Sequence, residues 1–316
     1  MMMILKIFGQ SRLLLLVGLL AMAADARGSE QNVVLGDLKV VVWSEPAKAP
    51  QPVLIFSHGF HGSATQSSAL METFAKAGYL VFAPQHRDAI YTGGTAKWTD
   101  QAAVPFAKEE TWTDATYLDR AVDIRNLIKA IASDARFRKQ ADLSRLGLVG
   151  HSLGGYTVLG LGGAWPSWKM PGVKAILALS PYAKPFIVHD TLKGLCAPVM
   201  YQGGTRDMGI SPSLHMVKGA YELSPEPKFL VEFGGAGHFA WTDLRDTDNA
   251  AIVAYGLAFL DHYVKGAPLD LSLTIPRQEV SRLRYEAEFG SNGAGYLREE
   301  RARPLWQRIL GFKGDE

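Results

Sequence analysis

Gly150, His151, Ser152, Leu153 and Gly154 set a serine between two glycines in the pattern G-x-S-x-G. The pattern follows the apolar run Leu146 to Val149 directly and leads directly into a helical stretch. A strand-to-helix turn that tight forces its central residue into a strained conformation, and the glycines remove side chains that would collide with neighbouring backbone. Ser152 Oγ would then stand clear above a sheet, over a helix N-terminus that favours developing negative charge. The blander alternative, a glycine-rich turn with a solvated serine, gives no reason for Gly154 and Gly155 to follow. A serine hydroxyl becomes a nucleophile only when a neutral imidazole takes its proton, and that imidazole needs an acid to fix its tautomer.

On a strand-turn-helix scaffold of this kind the chain order is Ser, then Asp or Glu, then His. Of the eight histidines, His238 alone lies both after Ser152 and on a loop, Gly234 to Gly237, that follows the last strand candidate. His262 and His215 fall inside helical stretches, and His189 lies upstream of any suitable acid. Asp207 follows the strand candidate Pro198 to Tyr201 through Gly203, Gly204, Thr205 and Arg206, which puts a carboxylate at a strand's C-terminal end, where ligand and catalytic groups gather in open α/β sheets. Its competing role is a turn aspartate before Gly209. Asp243 and Asp246 come after His238 and violate the chain order.

His58, Gly59 and Phe60 end the early strand candidate Val53 to Ser57. The amides of Phe60 and Leu153 are therefore the expected oxyanion donors, with the Phe60 ring lining the acyl or leaving-group pocket. His58 and His61 suggest a metal pair only superficially, because no adjacent carboxylate or cysteine completes a ligand set. Gly234 to Gly237 fail the dinucleotide pattern G-x-G-x-x-G, and no phosphate loop is present. No cofactor and no metal is implied.

From residue 39 onward short β-branched or apolar runs alternate with amphipathic stretches, the signature of a largely parallel sheet covered by helices. The strand candidates are Lys39 to Trp43, Val53 to Ser57, Tyr79 to Ala83, Leu146 to Gly150, Val173 to Leu179, Pro198 to Tyr201 and Lys228 to Phe233. The clearest helix follows Thr113 or Asp114 as N-cap and carries Tyr117, Ala121, Ile124, Ile128 and Ile131 on one face. Others are expected over Gln66 to Lys76, Leu153 to Leu161, Ser213 to Tyr221 and Asn249 to Val264. The segment Gln85 to Trp112 is long for a connection and is read as a loop or lid bordering the site, with Trp98 and Trp112 as candidate pocket residues. The tail from Gly266, broken by Pro276, Gly290, Gly293, Gly295 and Pro304, reads as an appendage, helical near Leu305 to Leu310.

The chain has 316 residues, 47% hydrophobic and 20% charged, an ordinary globular composition that leaves no room for a disordered or fibrous reading. The division expected is 1–26 signal peptide, 27–265 catalytic domain and 266–316 C-terminal extension. Lys6 and Arg12 precede the apolar run Leu13 to Ala24, which ends in Ala24-Asp25-Ala26, the layout of a secretory signal. That run is short of the about 20 residues a membrane anchor needs, so export to the periplasm or medium, with a new N-terminus at Arg27, is the expectation. Cys196 is the only cysteine, so no intramolecular disulfide forms; beside an apolar run it reads as a buried, inert thiol. A net charge of +2 without long charge blocks offers no footprint for nucleic acid.

The chain resembles bacterial α/β-hydrolases of the predicted dienelactone-hydrolase type, related to the platelet-activating-factor acetylhydrolase and polyester-hydrolase branches. The resemblance is carried by Phe56-Ser57-His58-Gly59-Phe60, by Gly78-Tyr79-Leu80-Val81-Phe82-Ala83-Pro84 with His86-Arg87-Asp88, and by Gly150-His151-Ser152-Leu153-Gly154-Gly155. Gly203, Gly204 and Asp207, followed by Gly237-His238-Phe239, complete it. It spans roughly residues 39 to 264 and implies an α/β-hydrolase fold, with Ser152, Asp207 and His238 as nucleophile, acid and base and Phe60 and Leu153 at the oxyanion positions. Ser152 stands where dienelactone hydrolases carry a cysteine. The function expected is hydrolysis of a small carboxylic ester. An acyltransferase or peptidase with the same triad, and a non-catalytic binding protein on the same scaffold, are the alternatives.

Overall fold

Each apolar run in the middle of the chain becomes a strand, because a continuous hydrophobic stretch buries both its faces only inside a parallel sheet. The computed structural model describes residues 29–90, 96–244, 250–287 and 298–301. The expected signal peptide, Asp246 and the expected helix over Leu305 to Leu310 lie outside the described residues. Ten strands form one sheet: β1 (Ser29–Leu35), β2 (Leu38–Ser44), β3 (Gln51–Ser57), β4 (Leu80–Pro84), β5 (Ala141–His151), β6 (Val173–Leu179), β7 (Val199–Gly204), β8 (Lys228–Phe233), β9 (Val280–Glu286) and β10 (Arg298–Arg301). Their order is β1-β2-β4-β3-β5-β6-β7-β8-β9-β10. The run from β4 to β8 pairs parallel, while β1, β2, β9 and β10 add antiparallel at the two edges.

Alternate residues of a strand face opposite sides, and β3 divides accordingly. Val53 and Ile55 join one core layer, and Leu54 and Phe56 join the other. The first layer is closed by α2 (Leu118–Ser133), which buries Ala121, Ile124, Leu127 and Ile131, and by α3 (Leu153–Leu159). The second is closed by α1 (Ser68–Lys76), through Leu70, Met71 and Phe74, and by α4 (Ala250–Tyr263), through Tyr255, Phe259 and Leu260.

Several boundaries depart from the sequence expectation, each for a tertiary reason. Helix α2 starts at Leu118 rather than after Thr113 or Asp114, and Tyr117 before it is left-handed, with φ of 60°. Residues 113–116 are held as a turn in which the Thr113 amide donates to Thr116 Oγ1 and Tyr156 Oη donates to the Thr116 carbonyl. The helix expected over Ser213 to Tyr221 is two short helices, Pro212–His215 and Ala220–Leu223, broken where Lys218 takes φ of 58°. The tail read as an appendage from Gly266 returns to the sheet. There β9 pairs antiparallel with β8 and buries Val280, Leu283 and Tyr285 in the second core layer, so this stretch packs as part of the same sheet. Cys196, expected to be buried, is exposed; it precedes β7, at the opposite end of the sheet from Ser152, with Sγ near the Gly162 carbonyl.

The C-terminal ends of β3, β5, β6, β7 and β8 face the same side of the molecule. The residues that follow them are Phe60, Ser152, Ser180, Asp207 and His238.

Candidate active site

Ser152 sits at φ of 55° and ψ of −117° between β5 and α3. Its amide donates to the Leu179 carbonyl at 3.0 Å, and its carbonyl accepts from the amides of Tyr182 (3.0 Å) and Tyr156 (3.1 Å), so the strained turn is stitched on both sides. The glycines are needed by contact. A Cβ on Gly154 would overlap the Ser57 carbonyl, and one on Gly150 would overlap the backbone of Gly154. Ser152 Oγ lies 2.9 Å from His238 Nε2.

Asp207 follows β7 and is buried at 4% exposure, with its amide donating to the Gly204 carbonyl. Its carboxylate oxygens lie 3.3 Å from His238 Nδ1. The three residues singled out in the sequence thus come together in the order hydroxyl, imidazole, carboxylate. Asp243 borders the same cavity, but its carboxylate accepts from the Ala69 amide at the start of α1.

Ser180, immediately after β6, escaped the sequence reading. Its hydroxyl donates a very short hydrogen bond to Asp207 Oδ2 and lies 2.9 Å from His238 Nδ1. The available signal was a polar residue directly after a strand apolar but for Lys174, between Ser152 and Asp207 in chain order.

The Phe60 amide donates to no acceptor among the described residues, and Leu153 opens α3, where amides have no intrahelical partner. The loop carrying Phe60 is tied to the loop carrying His238 by a strap. The Gly59 amide donates to Gln66 Oε1 (3.0 Å), Gln66 Nε2 donates to His151 Nδ1 (3.0 Å), and His151 Nε2 donates to the His238 carbonyl (2.8 Å). Only a neutral His151 with its proton on Nε2 satisfies this sequence of bonds. Burial, reinforced by the neighbouring His238, pushes its pKa down to about 3, which keeps it in that form.

Beneath the Phe60 loop lies a second buried network. Arg120, fully buried, donates from Nε and Nη2 to the Asp88 carboxylate (3.0 and 2.7 Å), and donates to the carbonyls of His58 (2.7 Å) and Gly59 (3.1 Å). Burial raises the Asp88 carboxyl, but the charge and hydrogen bonds of Arg120 outweigh it and hold it well below the usual range. Arg120 was legible only as a basic residue on the otherwise apolar stripe of α2. His58 has both nitrogens engaged, Nδ1 donating to the Gly59 carbonyl and Nε2 accepting from the His86 amide, so it does not fit a metal pair with His61.

The cavity above Ser152 has a volume of about 770 Å³, a size and lining suited to a small organic ligand. Phe60, Trp98, Phe106, Tyr182 and Phe239 supply most of its apolar wall. Trp98 is exposed at its rim and meets His61 edge-on. Trp112, expected in the pocket, is instead fully buried in the core, with Nε1 donating to the Pro105 carbonyl and its ring against Tyr117, Tyr156 and Tyr182. The segment folds back on itself here, and Phe106 takes the place at the cavity wall.

A mostly parallel sheet, helices on both faces and a serine in a strained strand-to-helix turn at the C-terminal strand ends define the α/β-hydrolase fold, which this chain adopts. The profile of the family described as platelet-activating factor acetylhydrolase, isoform II, matches residues 26–127. A cutinase of Thermobifida alba, named est2, is 28% identical over 213 residues, covering 67% of this chain and 59% of its own. The match thus spans less than two thirds of that relative. No helix among the described residues is long and apolar enough to cross a membrane.

Proposed function

We propose that the protein is an exported serine esterase. Ser152 Oγ attacks the acyl carbon of a carboxylic ester as His238 Nε2 takes its proton, and Asp207 fixes the imidazole tautomer and stabilises the imidazolium. The amides of Phe60 and Leu153 hold the oxyanion. The proton on His238 then passes to the departing alcohol, leaving an acyl group on Ser152, and water repeats the sequence to release the acid. The observation that carries this reading is the 2.9 Å contact from Ser152 Oγ to His238 Nε2 at an apolar cavity. The similarity to a cutinase supports an ester as substrate.

The test is a fluorophosphonate probe with aryl esters of graded acyl length. Stoichiometric labelling at Ser152 together with turnover supports the proposal. Absence of both in folded protein would leave a binding protein on a hydrolase scaffold. Turnover that partitions mainly to an added alcohol would make acyl transfer the activity.

A further inference from the structure

We propose that Ser180 is a positioning residue of this site, its hydroxyl bridging Asp207 and His238 so that the imidazole is held by carboxylate and hydroxyl together. The proposal rests on the esterase reading and adds a residue to it.

The direct contacts from His238 Nδ1 to the Asp207 oxygens, 3.3 Å each, are long for a charge-assisted bond, which ordinarily closes to about 2.7–2.9 Å. The approach of Ser180 Oγ, 2.9 Å, is the shorter one. One assignment of protons satisfies every atom. Ser180 gives its only proton to Asp207 Oδ2, which leaves its lone pairs to accept from His238 Nδ1–H. Nδ1 must then carry the ring proton, and Nε2 is left as the acceptor facing Ser152 Oγ. Ser180 therefore selects the same tautomer as Asp207 and keeps its own proton throughout the reaction.

The backbone supports this role. Ser180 takes φ of 43°, a region costly for a residue with a Cβ and free for glycine. It is held there because its amide donates to the Gln202 carbonyl at 2.7 Å, while Leu179 before it accepts from the Ser152 amide. The strained serine is fully buried, and its side chain reaches the acid and the base. The other hydroxyl near the carboxylate, Ser211 Oγ, is 3.5 Å from Asp207 Oδ2 and accepts from the Gly204 amide. It cannot replace Ser180, because it makes no contact with His238 among the described residues.

The experiment compares Ser180→Ala and Ser180→Gly with wild type, all rates being referred to active sites titrated with a fluorophosphonate. Losing a hydrogen bond to a charged partner should lower kcat on the order of 10- to 100-fold. KM should stay within about twofold, since Ser180 does not line the cavity. Ser180→Gly, which relieves the backbone, should melt no lower than Ser180→Ala while losing as much kcat. In an Asp207→Asn background, where the tautomer is already lost, Ser180→Ala should cost less than about twofold. Variants that keep kcat within twofold of wild type, or a loss that multiplies undiminished in the Asp207→Asn background, would overturn the proposal. Ser152→Ala separates the two claims. If it abolishes turnover while the Ser180 variants are unaffected, only the role of Ser180 fails; if it leaves turnover intact, the esterase reading fails with it.

Discussion

Three buried histidines of this protein resist a second proton in the folded state, and unfolding frees them. His58 and His86 are held well below 6.5, by burial first and by the nearby charge of Arg120 second; His151 is pushed down to about 3 by burial and by His238. When a folded-state pKa is depressed in a base, the unfolded chain binds more protons between the two values. Stability is then retained above pH 6.5 and lost as the pH falls below it. For His151, going from pH 7 to pH 5 costs about 2 kcal/mol. His58 and His86 act in the same direction. Asp123, which accepts from His86 Nδ1 at 2.8 Å, opposes them. Burial raises its carboxyl to about 6, so the folded state gains a proton there as pH falls, returning at most about 1 kcal/mol once solvent screening is allowed for. Even the part carried by His151 is an appreciable fraction of a typical domain's stability. Urea unfolding at pH 7, 6 and 5, with ΔG extrapolated to water, reads it directly. Asp123→Asn removes the opposing carboxylate and should steepen the decline. A wild-type ΔG constant to within about 1 kcal/mol across that range would refute the argument, since it would mean that these imidazoles accept protons without unfolding.

Ser152→Ala should fold normally and retain less than about a thousandth of wild-type turnover, read with an aryl ester. Asp207→Asn should lower kcat on the order of 10⁴-fold by releasing the wrong imidazole tautomer, whereas Asp243→Asn should be mild; the reverse ranking would move the acid to Asp243. Trp98→Ala should alter the ratio of kcat/KM between short and long acyl esters with Tm shifted by only a few degrees, because the side chain is exposed at the cavity rim; a uniform rate change would remove it from substrate selection. A chain ending at residue 265 loses β9, leaving the β8 edge unpaired and stripping Leu283 and Tyr285 from the core, and should be insoluble or unfold well below the full chain in a thermal melt. Intact mass of exported protein should place the N-terminus at Arg27; retention of residues 1–26 would contradict export with cleavage.

The central sheet was legible because strands buried on both faces leave unbroken apolar runs, and β6 and β8 begin and end where the sequence puts them. Of the antiparallel strands at the two edges, β2 was read as Lys39 to Trp43, but β1, β9 and β10 were not. In β9 the buried Val280, Leu283 and Tyr285 are separated by Ser281 and Arg282, which reach Glu232, and by Arg284, which pairs with Glu222, so the stretch reads as a polar tail. Among site residues, Ser152, Asp207 and His238 could be picked out by local context and chain order. Gln66, Ser180 and Arg120 could not, because what distinguishes them is a partner distant in sequence: His151, Asp207 and Asp88. Trp112 and Trp98 carry the same side chain in one loop, and only the packing of Phe106 and Tyr182 against Trp112 tells the buried one from the exposed.

The strap from Gly59 through Gln66 and His151 to His238 has a consequence for how such a site can change over generations. Its side chains are buried or half-buried and bonded to one another, so replacing one disturbs the others, and substitutions there are selected against together. Leu244 and Trp98 at the cavity mouth are 76% and 67% exposed. Substitutions at such exposed positions ordinarily cost little stability. Mutational drift can therefore remodel the mouth, and with it the ligands the cavity admits, while the strap stays fixed.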